Sequence, residues 1–363
     1  MVCDDSGIIR RAITRVLEAD PAIRVVAQAV NGQAALDAIG RDRVDVLILD
    51  IEMPVMDGMT ALPLLLRADP ALRVVMASTL TTRGAEIALR ALRLGAADYV
   101  PKPSAAVGGD AQFSTELIAK VKGLARQRHP AASPSAAAPA PAAPLRPGPA
   151  RPPRLLAIGS STGGPQALFT LIQSLGTGLA VPVVLTQHMP AGFTAILAEH
   201  ITRLGAMPCA EAQDGETLLP GRIYLAPGDR HLLVQAAAGG LQARLSGSPP
   251  ENFCRPSVDP MLRSACDACD GRVLVVMLTG MGQDGLLGTQ KIVAAGGAAL
   301  AQDEATSIVW GMPGAITRAG LVHAVLPLGK IAEKIRQILA NAPGLAVPRR
   351  PLNKATLSTE RPL

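Results

Sequence analysis

The chain has 363 residues, too many for one ordinary domain, and 35 Lys plus Arg against 29 Asp plus Glu leave it at +6. That excess sits in two segments: Arg126 to Arg154 holds five Arg and no acid, and Ala346 to Leu363 carries a net +3, so the remainder is slightly acidic. Seven aromatics are too few for stacking platforms on single-stranded nucleic acid. No apolar run approaches the ~20 residues of a membrane span, and the acidic start MVCDDSGIIRR is unlike a basic signal peptide.

In chain order, Val25–Val30, Val46–Leu49, Val74–Ala77 and Asp98–Val100 read as short β-branched strands. Helical faces lie between them: Ile9, Ile13, Val16 and Leu17 share one, and Ile87, Ala88, Ala91 and Leu92 another. From Pro130 to Pro153 there are nine Pro among 24 residues, mostly spaced by Ala, which reads as an extended linker with little to bury. Beyond it, strands are expected at Leu155–Ile158, Val183–Thr186, Ile223–Ala226, Leu232–Val234 and Val273–Leu278. Helices are expected around Ala167–Gln173, Ala195–Leu204 and Thr289–Ala295. Both units therefore read as α/β with parallel sheets, and ligands are expected beyond the carboxyl ends of the strands. The expected division is 1–125, a linker 126–153, a second unit 154–345 and a disordered basic tail 346–363.

The strand ends of the first unit carry Asp4-Asp5, Asp50, Ser78-Thr79 and Lys102-Pro103. Three converging carboxylates repel one another unless a hard cation joins them, and an all-oxygen set that leaves room for water and a phosphoryl oxygen suits Mg²⁺. A carboxylate nucleophile can then form an acyl phosphate. With DDS at 4–6, LDIEMPVMDG at 49–58, ASTL at 77–80 and YVPKP at 99–103, residues 4–103 resemble a response-regulator receiver domain. The resemblance implies a flavodoxin-like, doubly wound fold, phosphorylation of Asp50, and Mg²⁺ held by Asp4, Asp5, Asp50 and the Glu52 carbonyl. It implies a switch hydroxyl on Ser78 and a charge-sensing Lys102. Receivers place about five apolar residues before the acid pair, where this chain offers Val2 and Cys3. At ~1.5–3 kcal/mol per buried apolar side chain, a first strand so shortened leaves the receiver marginal and its acids poorly held, and a truncated start is the expectation.

In the second unit, Gly159-Ser160-Ser161-Thr162-Gly163 fits G-x-S-x-G, a strand-to-helix turn that exposes its central Ser. Such turns also cradle phosphates, although the Lys that a nucleotide loop places after its glycines is missing. Ser161 needs a base. His188, at the end of VVLTQ, stands at the expected edge, with His231 in reserve; His129 falls in the linker, His200 within a helix, and His323 reads as structural. A carboxylate should orient the base. Asp284, in the glycine-rich loop TGMGQDG after an apolar strand, is the first candidate, with Asp259 and Asp303 as rivals. Cys266 and Cys269 form a lone CxxC without a second pair, which argues against structural zinc, and five unpatterned Cys suit a reducing cytoplasm.

With IGSSTGG, TQHMPAGFT (186–194), AEAQDGE (210–216), YLAPGDRH (224–231), RPSVDPM (255–261), LTGMGQDG (278–285) and AQDEATSIVWGMPGAI (301–316), residues 154–342 resemble the catalytic domain of chemotaxis protein-glutamate methylesterases. The resemblance implies Ser161 as nucleophile, His188 as base, Asp284 as its partner, and Thr162 and Met281 at the oxyanion and active-site wall. It implies an esterase needing no cofactor, active on methylated chemoreceptors and on some receptor glutamines. It also implies a chemotaxis histidine kinase as phosphodonor, a receiver that covers the esterase site until phosphorylated, a cytoplasmic monomer, and no nucleic-acid or membrane partner. A binding adaptor that has lost catalysis is the alternative.

Overall fold

The computed structural model describes residues 1–78, 82–102, 111–128, 145–205 and 207–340. Thr79, Leu80, Pro103, His129, the linker centre and the basic tail lie outside them.

The first unit runs β1 (Val2–Cys3), α1 (Gly7–Glu18), β2 (Gln28–Ala29), α2 (Gly32–Ile39), β3 (Val46–Asp50), α3 (Gly58–Ala68), β4 (Arg73–Ser78), α4 (Thr82–Arg93), β5 (Asp98–Pro101) and α5 (Ala111–Arg128). The second runs β6 (Leu155–Ser160), α6 (Gly164–Leu175), β7 (Val183–Gln187), α7 (Phe193–Arg203), β8 (Cys209–Glu211), β9 (Ile223–Leu225), β10 (His231–Ala237) and β11 (Gly240–Ser246). It ends with α8 (Val258–Ala268), β12 (Val273–Met277), α9 (Leu286–Ala294), β13 (Ala298–Gln302), α10 (Met312–Arg318), β14 (Ala324–Leu326) and α11 (Leu328–Ala340).

The mainly apolar strand runs (VLILD, RVVMAS, LLAIGS, VVLTQ, VLVVM) are buried nearly throughout, as strands covered on both faces by helices must be. They form two sheets, ordered β2-β1-β3-β4-β5 and β14-β13-β12-β6-β7-β9-β8, with parallel pairing in each. The first order is the flavodoxin-like one. β1 is only two residues long, yet it pairs on both sides, Val2 with Gln28 and with Ile48. The acid that follows it is well seated and not loose: Asp4 is buried and accepts from the Ser6 N–H at 2.8 Å.

One strand departs from the parallel expectation. β10 pairs antiparallel with β11, outside both large sheets. The turn Ala238-Gly239, followed by Gly240 at φ +128°, closes a two-residue hairpin of the kind that glycine-containing dipeptides favour.

The two units are packed together. Buried apolar side chains form one continuous cluster that passes from the first sheet into the second. Tyr99 of β5 stacks on Phe193 of α7 with ring centroids 5.3 Å apart, and Gln166 of α6 donates to the carbonyl of Ala96 at 3.0 Å. Residues 145–154 lie along the second unit, where the N–H groups of Arg146, Ala150 and Arg154 donate to Val322, Gly296 and Arg272 at 2.8–2.9 Å.

Candidate functional site

In the first unit, Asp4, Asp5 and Asp50 each bring a carboxylate oxygen to one point, all within 4.8 Å of one another. Asp4 and Asp5 follow β1 and Asp50 ends β3, so they meet where the strand order reverses. Lys102 Nζ, just past β5, stands 2.7 Å from Asp50 Oδ1 and 3.1 Å from Asp4 Oδ2. Burial pushes the Asp50 carboxyl up against the pull of Lys102. Lys102 in turn is held above the usual lysine range, because the hydrogen bond and charge of Asp50 and the charge of Asp4 outweigh its desolvation. Asp50 Oδ2 is buried and, among the described residues, has no hydrogen-bond partner. An oxygen-only cluster with such an orphaned oxygen fits a small hard cation. The Glu52 N–H donates to Asp50 Oδ1 at 3.4 Å, and Ser78 is buried at the end of β4, its carbonyl accepting from the Lys102 N–H at 2.8 Å.

The second site also lies at a strand-order reversal, where β6 has β12 on one side and β7 on the other. Ser161 leaves β6, His188 leaves β7, and residues 279–284 leave β12. Ser161 is fixed by its backbone: its N–H donates to Thr279 O at 3.0 Å and its carbonyl accepts from Gly164 N–H at 2.7 Å. Gly163 then takes φ +74° as the N-cap of α6, a left-handed conformation that favours glycine.

His188 Nε2 lies 2.8 Å from Asp284 Oδ2. Asp284 is buried and accepts four more hydrogen bonds: from Asn252 Nδ2 (2.9 Å), Ser257 Oγ (2.7 Å), Val258 N–H (2.6 Å) and Asp259 N–H (3.1 Å), with Asn252 also tied to Asp259. Two of these donors are the free N–H groups of the first turn of α8, so Asp284 also caps that helix from outside. Burial opposes its charge, but His188 and these donors hold it down at about 2. Against desolvation, Asp284 and Cys254 together raise His188. His188 Nδ1 meets Cys254 Sγ at 3.4 Å; among the described residues no hydrogen bond joins Ser161 Oγ to His188.

Thr162 is buried with its carbonyl accepting from Thr279 Oγ1 at 2.9 Å. Thr162 and Met281 line, with Ser161, His188 and Asp284, a cavity of about 700 Å³. The rival residues are held by other partners. His231 is buried between the Ser257 N–H and the Pro249 carbonyl, each 3.1 Å away, Asp259 accepts from Gly288 N–H at 2.7 Å, and Asp303 holds Thr306.

The same cavity is walled by the first unit, through Asp98, Tyr99, Pro101, Thr115, Glu116 and Lys120. Asp98 Oδ2 accepts from Gly163 N–H at 3.2 Å, and Lys120 Nζ lies 3.3 Å from Asp98 and 2.9 Å from Glu116. Gly123 of α5 sits against Ile308, where a Cβ would come 2.1 Å from the Ile308 carbonyl oxygen.

Several of these residues were given no role by the sequence. Gln187 precedes His188 and braces the nucleophile turn, accepting from Ser160 Oγ at 2.7 Å and donating to the Ser161 carbonyl at 3.0 Å. Ser257, Asn252 and Cys254 stand far from Asp284 and His188 in the chain; only the RPSVDP motif marks their neighbourhood.

Comparison with known proteins shows the family of each unit. Residues 156–335 match the CheB methylesterase family and residues 1–108 the response regulator receiver domain. A protein-glutamate methylesterase/protein-glutamine glutaminase of Azospirillum brasilense is 52% identical over 365 residues, covering 94% of this chain and 93% of that protein. One from Paramagnetospirillum magneticum is 50% identical over 364 residues, covering 94% and 96%. The crystal structure of the Thermotoga maritima CheB methylesterase catalytic domain, 40% identical, superimposes with a TM-score of 0.50 over 51% of this chain and 98% of that one. The chain belongs to the CheB methylesterase family, in the form that carries an N-terminal response-regulator receiver domain.

Proposed function

We propose that this protein is a phosphorylation-activated esterase that removes methyl esters from glutamate side chains of chemoreceptors and deamidates receptor glutamines, as the names of its relatives describe for them. The observation that carries the reading is the Ser161 turn beside the His188–Asp284 pair, in a cavity that the receiver also walls.

In this reading Ser161 Oγ attacks the ester carbonyl and forms a C–O bond, while His188 in its neutral form takes the hydroxyl proton on Nδ1, the ring nitrogen not engaged by Asp284. Backbone N–H groups around Thr162 and Met281 receive the oxyanion. Collapse breaks the bond to the methoxy oxygen, which leaves as methanol with the proton from His188. Water, deprotonated by the same nitrogen, then cleaves the acyl-enzyme to free glutamate and Ser161. For a glutamine substrate the leaving group is ammonia.

Control belongs to the receiver. Asp4, Asp5, Asp50 and the Glu52 carbonyl would hold Mg²⁺, which when bound neutralises the charge of the incoming phosphoryl group. Asp50 accepts the phosphoryl group as an acyl phosphate, from a chemotaxis histidine kinase. Lys102 leaves Asp4 for the new charge and Ser78 turns toward it. β5 ends beside Lys102 and carries Asp98 and Tyr99, so movement at its end reaches the contacts over Gly163 and Phe193. The proposed division is a receiver over 1–125, a linker over 126–153, an esterase unit over 154–345 and a basic tail over 346–363, in a cytoplasmic monomer. No helix of the described residues is long and apolar enough to cross a membrane. Methanol release from methylated receptor membranes, with and without acetyl phosphate, tests the reading; binding to receptors without methanol release would instead favour the adaptor.

A further inference from the structure

Of the five cysteines, Cys3, Cys209, Cys266 and Cys269 are buried, and Cys254 is partly exposed. Its Sγ lies 3.4 Å from His188 Nδ1, and the opposite ring nitrogen is held by Asp284 at 2.8 Å. Thiol, imidazole and carboxylate thus stand in line, the order of nucleophile, base and orienting acid. All three border the same cavity.

The turn that presents the thiol is pinned. Glu251 and Cys254 exchange backbone hydrogen bonds at 3.1 and 2.9 Å across Asn252 and Phe253, which take φ +51° and +62°. Asn252 is tied to Asp284, the carboxylate that also orients His188. Next to the thiol, the Arg255 guanidinium is turned away to Asp229 and to the carbonyls of Gly247 and Ser248. That leaves the imidazole as the group in hydrogen-bond contact with Sγ.

We infer that Cys254 is a covalent modification site for small disulfides, and that its modification shuts off the centre at His188. His188 Nδ1 takes the thiol proton, and the thiolate attacks one sulfur of the disulfide. That S–S bond breaks, a new one joins Cys254 to half of the reagent, the other half leaves as a thiolate, and the proton on His188 passes to solvent. The attached group then stands against Nδ1, the nitrogen that Ser161 would need. A reducing thiol reverses the step. The inference goes beyond the esterase reading, and its first readout requires no receptor substrate.

The test uses the full chain and 5,5′-dithiobis(2-nitrobenzoic acid), following the coloured thiolate and mapping the modified peptide by mass spectrometry. One fast-reacting thiol per chain is expected, at Cys254, about ten-fold faster at pH 6.5 than a free cysteine peptide, since the imidazole beside Sγ can take the thiol proton as the disulfide is attacked. Cys254→Ser should lose the fast phase, and His188→Ala should slow Cys254 to the rate of the peptide. Methanol release should fall in proportion to labelling and return with dithiothreitol, whereas Cys254→Ser should keep its own starting rate under the reagent. A Cys254 no faster than the peptide, or indifferent to His188→Ala, overturns the reactive pair; a fully labelled chain that still releases methanol overturns the shut-off.

Discussion

Asp98 of the receiver places its carboxylate 3.2 Å from the backbone N–H of Gly163, the N-cap of the helix that follows Ser161. A buried anion thus sits at the positive end of that helix, and Lys120 balances it from behind at 3.3 Å. Burial pushes the Asp98 carboxyl up, and the Lys120 ammonium pulls against that. Neutralising it with Asp98→Asn should weaken docking by about 1.5 kcal/mol, the lower edge of the ~1.5–3 kcal/mol range of a hydrogen bond to a charged group, and so raise unstimulated methanol release roughly ten-fold. The rate reached with acetyl phosphate should not change. An unstimulated rate that stays level or falls would remove Asp98 from the docking contact.

Gly123→Ala separates docking from receiver stability. Alanine is the better helix former by about 1 kcal/mol, so the receiver itself should melt no earlier. A Cβ at 123, however, would meet the Ile308 carbonyl at 2.1 Å, which is backbone and cannot give way cheaply. Unstimulated activity should therefore rise several-fold, read alongside the melting curve of the full chain.

Ser161→Ala should lower methanol release by more than about 10³-fold with the circular dichroism spectrum unchanged. Ser160 is no substitute, because it is buried and donates to Gln187 at 2.7 Å. Turnover retained in Ser161→Ala and lost in Ser161→Ala/Cys254→Ser would move the nucleophile to the thiol.

Asp50→Asn should keep the unstimulated rate and lose the response to acetyl phosphate, and removing Mg²⁺ with a chelator should abolish that response in the unmodified chain. Activation that persists in Asp50→Asn would put the phosphoryl group elsewhere.

The His188–Asp284 pair carries a signed pH dependence. His188 is raised from 6.5 to about 10 and Asp284 lowered from 3.8 to about 2. A raised histidine contributes its stability fully below its unfolded value and loses it as pH rises through the folded one; a lowered carboxylate contributes above its unfolded value and loses it as pH falls through the folded one. The pair's contribution should therefore be whole between 3.8 and 6.5 and fade toward about 10 and about 2. Urea unfolding of the chain against Asp284→Asn should show the widest gap in that window, and NMR titration should place His188 of the variant below its value in the unmodified chain, with Cys254 as its remaining raising partner.

The sequence by itself determined the elements whose identity is local. Apolar runs such as VLILD and VLVVM can only be buried strands, and Gly163 after Ser161 marks a turn whose backbone excludes most side chains. Acids, hydroxyl and lysine at successive strand ends pointed to one end of a parallel sheet, because strands of one direction bring their ends together. Distance in the chain hid the rest. That Asp284 is also the cap of α8, that Gln187 braces the Ser161 turn, and that Cys254 meets Nδ1 depend on how β7, β12 and the segment before α8 converge, which periodicity does not encode. The hairpin of β10 and β11 was missed as well, since a short apolar run looks the same whether its partner is parallel or antiparallel. The docking of Asp98 over Gly163 belongs wholly to tertiary structure: a carboxylate 65 residues away becomes part of the site only when two separately wound sheets are packed face against loop.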